Sequence, residues 1–280
     1  MPDIARAENP LDLTFSTDEL EQHREHITSF ISRQYEVSGA DVAVIGLSGG
    51  IDSTLTSHLT VEALGTGNVY GLVLPSKVNT EQNMSDAERV ASQLLDIEYD
   101  VVGIDPLVDA VLDANPNVEA GKDAPELQVP VGNLRARLRA VLGYFEANRR
   151  NGLVVGTGNR SEAAVGYFTK YGDGAVDCHP IGNLYKQQVR QLAQHLGVPG
   201  ELADKTPTAG LWDTQTDEAE LGIGYDTLDS ILALHVDGPL STSATARQVG
   251  VDERVVEDVR AMFEASAHKR RAPPTPEPLH

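Results

Sequence analysis

The segment VIGLSGGIDSTL, residues 44–55, gathers the residue types of an anion-binding turn. An apolar run meets Gly46, Gly49 and Gly50, and Asp52 and Ser53 follow at the entrance of a helical pattern. Glycines after a strand let backbone N–H groups approach a phosphate closely, and a helix start adds positive potential. On residue preferences alone the segment is equally a tight strand-to-helix turn capped by Asp52 or Ser53. Two common phosphate loops are excluded, because no lysine follows the glycines and no GxGxxG is present. Further along, VVGTGNRSEAAVGYFTKYGDGAVDCHPIGNLYK (154–186) sets Thr157, Glu162, Lys170, Asp177 and Lys186 among glycine-rich turns. Each has an ordinary reading as well. Glu162 after Ser161 is a first-turn helix acid, YGDG is a plain turn, and the lysines are surface amines.

Apolar runs over 41–47, 69–75, 99–104 and 153–158 predict buried parallel strands, with helix patterns near 52–64 and 80–95 between the first three. This alternation predicts an open, doubly wound α/β sheet, whose ligands bind beyond the carboxyl ends of the strands. The opening segment and GTGN (156–159) both fall at such ends. Residues 17–36 predict an amphipathic helix capped by Thr17. Helical spacing recurs at 133–148, 185–196, 225–236 and 252–266, the last two forming C-terminal additions. Leu134, Leu138, Val141, Leu142 and Phe145 form an apolar stripe wider than one sheet face needs. Segments 115–127 and 205–217 read as loops, and 272–280 as a disordered tail after one domain over 1–271.

Composition bounds the partners. The formal charge is −20, from 42 acidic and 22 basic residues, which opposes non-specific nucleic-acid binding. It also opposes anionic nucleotides unless basic residues concentrate at the site. Only six of the 22 basic residues are lysines, and an acidic, lysine-poor surface suits a high-salt milieu. The sequence has no run long enough to span a membrane and no secretory signal pattern at its start, so cytoplasmic residence is expected. The single cysteine, Cys178, excludes internal disulfides and CxxC metal sites.

The pattern Ser-Gly-Gly-x-Asp-Ser resembles the pyrophosphate loop of enzymes that cleave ATP between its α and β phosphates to adenylate a substrate. The 154–186 block, with NLRARLR (133–139), KTPTAGLW (205–212), QTDEAELG (215–222) and HKR (268–270), closely resembles the NAD synthetase family in order and spacing. That resemblance implies a Rossmann-like fold of the adenine nucleotide alpha hydrolase kind. It implies ATP contacts at Gly46, Leu47, Ser48, Gly49, Gly50, Ile51, Asp52, Ser53, Thr157, Lys186 and Thr208. Asp52 and Glu162 would hold Mg²⁺. Arg137, Lys170, Asp177, His268 and Lys269 would face deamido-NAD. Hard oxygen ligands suit magnesium, and Lys186 could neutralise charge developing on the α-phosphate. Asp213 and Thr214 depart from the family, where a Pro-Gly-like pair is expected.

The implied reaction is ATP-dependent amidation of deamido-NAD to NAD through an NAD-adenylate, with AMP and pyrophosphate as products. Free ammonia is the expected donor, because the synthetase blocks nearly fill the chain and Cys178 lies inside one of them. The family resemblance also implies a two-fold homodimer, with the deamido-NAD site near the interface. Two other readings remain at this stage. One is a different adenylating enzyme with this loop, GMP synthetase-like or tRNA-thiolating. The other is a nucleotide-sensing module without turnover.

Overall fold

The computed structural model describes residues 4–79, 81–115, 125–203, 205–208, 210–212 and 215–279. Most of the 115–127 segment and the Asp213-Thr214 pair lie outside the described residues. Four parallel strands, β1 (Val42–Leu47), β2 (Val69–Val73), β3 (Glu98–Val101) and β4 (Gly152–Val155), form one sheet in the order β3-β2-β1-β4. The chain therefore steps outward from β1 to β3, then returns to place β4 on the other side of β1. That reversal opens a crevice beyond the carboxyl ends of β1 and β4. β4 ends at Val155, short of the expected 158, so GTGN is loop and not strand. β3 is an exposed edge strand and not a buried one, because among the described residues no further strand pairs with it. Beyond β4, Asp177 N donates to Val154 O and Gly156 N to Cys178 O, which extends the sheet by one rung.

Helices cover both faces. α1 (Thr17–Ser38), α2 (Ile51–Leu64), α3 (Glu81–Arg89) and, later, α7 (Lys186–His195) bury Ile27, Ile31, Leu55, Leu59, Val189 and Leu192 against one face. α4 (Asp105–Asp113) and α5 (Gln128–Arg150) bury Ile104, Val108 and Val131 against Val44, Tyr70 and Leu72 on the other. Between β4 and α7 lies the short α6 (Arg160–Val165). After α7 come α8 (Gly200–Ala203), α9 (Asp217–Leu221), α10 (Tyr225–Ile231), α11 (Thr242–Val249) and α12 (Glu253–Ala265). α10, α11 and α12 share a separate core with Ala164 and Val165 of α6. Among the described residues no helix is long and apolar enough to cross a membrane. Residues 272–279 carry no helix or strand.

Two caps differ from the sequence reading. α1 is capped by Ser16, not Thr17, because Ser16 and Glu19 close a reciprocal capping box. α2 begins after Gly50 with no side-chain cap, so Asp52 and Ser53 are helical residues and not caps. The apolar stripe on α5 also splits. Leu134, Leu138 and Leu142 pack against the sheet-side core, whereas Val141 and Phe145 are 61% and 56% exposed.

Gly166 closes α6 at φ 71°, and a Cβ there would stand 2.2 Å from Ser266 Cβ just past α12. Gly166→Ala therefore strains the backbone and pushes α6 off the C-terminal core. We expect a loss of roughly 1–3 kcal/mol in denaturant unfolding. A wild-type midpoint would show that α6 does not depend on that contact.

Candidate active site

The opening segment forms the floor of the crevice. Gly49 adopts φ 72°, which turns the chain from β1 into α2. Ser48 and Ser53 hydroxyls meet at 3.0 Å, Gly50 N donates to Ser48 Oγ at 3.3 Å, and Ser53 Oγ donates to Gly50 O at 3.1 Å. The serines thus hold the turn from within. Because no side chain caps α2, its first-turn N–H groups are left for an anion.

A charge cluster stands beside this turn. The Lys186 side chain, at the start of α7, is buried, and its Nζ lies 2.6 Å from Asp52 Oδ2 and 3.0 Å from Glu162 Oε1. Asn159 Nδ2 donates to the other Asp52 oxygen at 2.8 Å, and Asn159 and Glu162 close the capping box of α6. Tyr225 of α10 donates to Asp217 Oδ2 at 2.9 Å, touches Glu162 Oε1 at 3.5 Å, and lays its ring 5.1 Å from Lys186 Nζ. Burial alone would lower the Lys186 pKa, but the carboxylates of Asp52 and Glu162 outweigh it and raise it. Burial pushes the Glu162 carboxyl up to about 7, helped by Asp52 and Asp217 and opposed by Lys186. Burial raises Asp217 as well, and its Oδ1 is buried with no partner. Asp52 and Glu162 thus share one ammonium, with Asp217 held beside them by Tyr225.

Both features open into a cavity of about 1000 Å³. Among the described residues its wall carries seven cations, Arg139, Lys170, Lys186, Lys205, Lys269, Arg270 and Arg271, against five carboxylates, Asp52, Glu162, Asp173, Asp217 and Glu220. In a chain of net charge −20, that local excess marks a polyanion site. Of the residues singled out in the sequence, Gly46, Leu47, Ser48, Gly50, Ile51, Asp52, Ser53, Thr157, Glu162, Lys170, Lys186, Thr208 and Lys269 line it. Gly49 shapes the turn from behind.

Arg137, Asp177 and His268 are not part of the cavity wall. Arg137 is exposed and donates to Lys170 O at 3.2 Å. Asp177 accepts from Val154 N at 2.7 Å and Tyr144 Oη at 3.0 Å, so it fastens the sheet edge. Of the three arginines in NLRARLR, Arg139 is the one that lines the cavity, donating to Leu74 O at 3.0 Å and Asn79 Oδ1 at 3.1 Å. Sequence reading also missed Lys205, whose Nζ lies 2.7 Å from Asp86 Oδ2 and 3.4 Å from Gly49 O. The scarcity of lysine was the available signal for it. Asp217 and Tyr225 had none, since nothing in QTDEAELG or GYDT separates them from neighbouring acids and tyrosines. Cys178 is buried, and burial pushes its thiol up to about 11, which removes it as a nucleophile.

Residues 23–273 match the sequence profile of the family described as NAD synthase. The chain belongs to the NAD synthase family. An NH(3)-dependent NAD(+) synthetase of Halobacterium salinarum is 58% identical over 268 residues, which cover 96% of this chain and 97% of that one. The structure of an NMN synthetase from Francisella tularensis superposes with a TM-score of 0.78 at 35% identity, covering 94% of this chain and 99% of that one. An NH3-dependent NAD synthetase from Campylobacter jejuni, solved with a nitrate ion, gives a TM-score of 0.74 at 29% identity, with 92% and 99% covered. Membership in the NAD synthase family displaces the GMP synthetase-like, tRNA-thiolating and sensor readings. It also fits the Rossmann-like adenine nucleotide alpha hydrolase fold expected from the resemblance.

Removing the Lys186 ammonium leaves the Asp52 and Glu162 carboxylates, with Asp217 nearby, without their shared cation. We expect Lys186→Met to lose roughly 3–5 kcal/mol in metal-free denaturant unfolding. Adding Glu162→Gln should recover part of that loss, because it removes one of the repelling charges. Equal stability of Lys186→Met and wild type would contradict the shared-ammonium geometry.

Proposed function

We propose that the chain is an ammonia-dependent NAD synthetase, an ATP-consuming ligase acting on deamido-NAD. The observation that carries this reading is one cavity holding both an uncapped helix start and a net excess of cations in a strongly acidic chain. Two polyanions, ATP and deamido-NAD, need that excess. The family membership and its ammonia-dependent relatives support the choice of substrate and nitrogen donor.

The Gly46–Ser53 turn holds the β- and γ-phosphates, with Thr157 and Thr208 on the same nucleotide. The nicotinate carboxylate of deamido-NAD attacks the α-phosphorus, the bond to the β-phosphate breaks, and pyrophosphate leaves from the α2 N-terminus. Lys186 offsets charge on the α-phosphate as that bond breaks. Ammonia then adds to the acyl carbon of the NAD-adenylate, AMP leaves with the bridging oxygen, and the released proton goes to solvent. The protein contributes positioning and charge neutralisation, with no covalent enzyme intermediate.

The donor set fits Mg²⁺. Asp52 and Glu162 offer hard carboxylate oxygens beside the phosphate turn, and Asp217, held by Tyr225, keeps one oxygen without a partner among the described residues. Among the described residues no cage of three acidic or imidazole side chains is preassembled, which suits a cation that keeps waters and phosphate oxygens in its shell. When bound there, Mg²⁺ would neutralise the pyrophosphate leaving group.

Lys170 and Lys269 face deamido-NAD from the cavity wall. Arg137, Asp177 and His268 do so only if a second copy closes the site. Arg137, Val141 and Phe145 follow one another four residues apart on the outer row of α5, so a two-fold contact across this row would carry Arg137 to its edge. The homodimer rests on that row. The protein works in the cytoplasm, and the acidic, lysine-poor surface suits high salt.

Pyrophosphate release from ATP tests the reading. Release should require deamido-NAD, sustained release beyond one equivalent per site should also require ammonium, glutamine should not replace ammonium, and Cys178→Ser should keep the wild-type rate. Nicotinic acid mononucleotide is the control, given the NMN synthetase among the structural neighbours, and should support less release than deamido-NAD. ATP binding without turnover, or preference for the mononucleotide, contradicts the assignment. For the assembly, sedimentation should give twice the 30.1 kDa chain mass, and Phe145→Glu should split the dimer and weaken deamido-NAD binding together. Leu142 is unsuitable for that test, because it packs inward. A wild-type monomer at micromolar concentration would refute the dimer.

A further inference from the structure

Asp229 is fully buried on α10 and is no part of the cavity wall, yet it is tied to the lysine that is. One carboxylate oxygen accepts from Gln187 N at 2.9 Å, and the other accepts from Ser161 Oγ. The same Ser161 oxygen accepts from the Lys186 backbone N–H at 3.0 Å. The first two N–H groups of α7 are therefore met by side chains of α6 and α10. Four residues earlier on the same face of α10, Tyr225 places its ring 5.1 Å from the Lys186 ammonium. α10 thus meets the start of α7 twice, the Lys186 ammonium through Tyr225 and the Gln187 N–H through Asp229, with Ser161 linking Asp229 to the Lys186 N–H. Ser161 also precedes Glu162, so the same carboxylate is linked to the first turn of α6.

A lysine side chain is long and has several rotatable bonds, so its ammonium is only as well placed as its backbone and its neighbours make it. A carboxylate at a helix start is favoured by the helix dipole, and burial keeps this one from exchanging its partners for water. We infer that Asp229 is a positioning residue for the adenylation step. Through Gln187 and Ser161 it fixes the start of α7 and the first turn of α6, which sets the Lys186 ammonium between Asp52 and Glu162. This rests on the adenylation reading given above. A residue that merely stabilised the C-terminal helices would make the same bonds, so the test must separate positioning from folding.

Asp229→Asn keeps the size and one acceptor oxygen but presents an amide NH₂ to Ser161, whose hydroxyl then lacks its acceptor. Ser161→Ala removes both the donor to Asp229 and the acceptor of the Lys186 N–H, and leaves the Asp229–Gln187 bond in place. Each variant and the wild type are titrated with ATP by calorimetry, for sites per chain and Kd. Each is then assayed for deamido-NAD-dependent pyrophosphate release. Positioning predicts that kcat falls about tenfold or more in Asp229→Asn while one ATP site per chain remains with Kd within about threefold. Ser161→Ala should show a smaller loss of the same kind. Rates within about twofold of wild type in both variants at full ATP occupancy would overturn the inference. So would a rate loss that only matches a loss of ATP sites. If Asp229→Asn does not fold, Ser161→Ala decides by the same two readouts. A wild-type chain without deamido-NAD-dependent release would overturn the adenylation reading, and this inference with it.

Discussion

The arrangement depends on one buried ammonium. Lys186 is held between Asp52 and Glu162 at hydrogen-bond distance, with Asp217 close behind Tyr225. Taking these charges out of water is costly, and only close pairing offsets the cost. The three carboxylates come from α2, α6 and α9, the lysine from α7, and the aromatic ring beside it from α10. One electrostatic requirement therefore fixes how five helices meet.

The sheet supplies the place and the C-terminal helices supply the precision. The reversal between β1 and β4 opens the crevice, and the Ser48–Ser53 contact shapes its floor. Neither would orient Lys186. That falls to α6 and the separate core of α10, α11 and α12, which meet through Ala164, Val165 and the close approach of Gly166 to Ser266. Farther out, Lys205 reaches Asp86 and the Gly49 carbonyl, while Asn79 donates to Gly210 O. Lys205 and Gly210, both on the cavity wall, are thereby tied to the α3 side.

What could be read in the sequence follows from physical range. Strands with continuous apolar runs and the glycine turn after β1 were legible, because their signals are local. Helix α4 was not read, although Leu107, Val108, Val111 and Leu112 stand at helical spacing within its nine residues. The α1 cap moved by one residue, since Ser16 and Thr17 are both good caps and only the reciprocal bond with Glu19 separates them. In NLRARLR the family pattern pointed to Arg137, yet Arg139 reaches the cavity and Arg137 faces outward. Residue types cannot tell which face of a helix meets the sheet. Asp217, Tyr225 and Asp229 were out of reach for the same reason. Their importance comes from contacts with residues distant in sequence, and an isolated acid or tyrosine on a short helix carries no mark of it.

The central claim is that this cavity joins a carboxylate to the α-phosphate of ATP before nitrogen enters. Deamido-NAD labelled with ¹⁸O in its nicotinate carboxylate tests that directly. Turnover with ATP and ammonium, followed by mass spectrometry of the nucleotide products, should find one labelled oxygen transferred to AMP and none in pyrophosphate. Unlabelled AMP, or label in inorganic phosphate with ADP as co-product, would contradict the account.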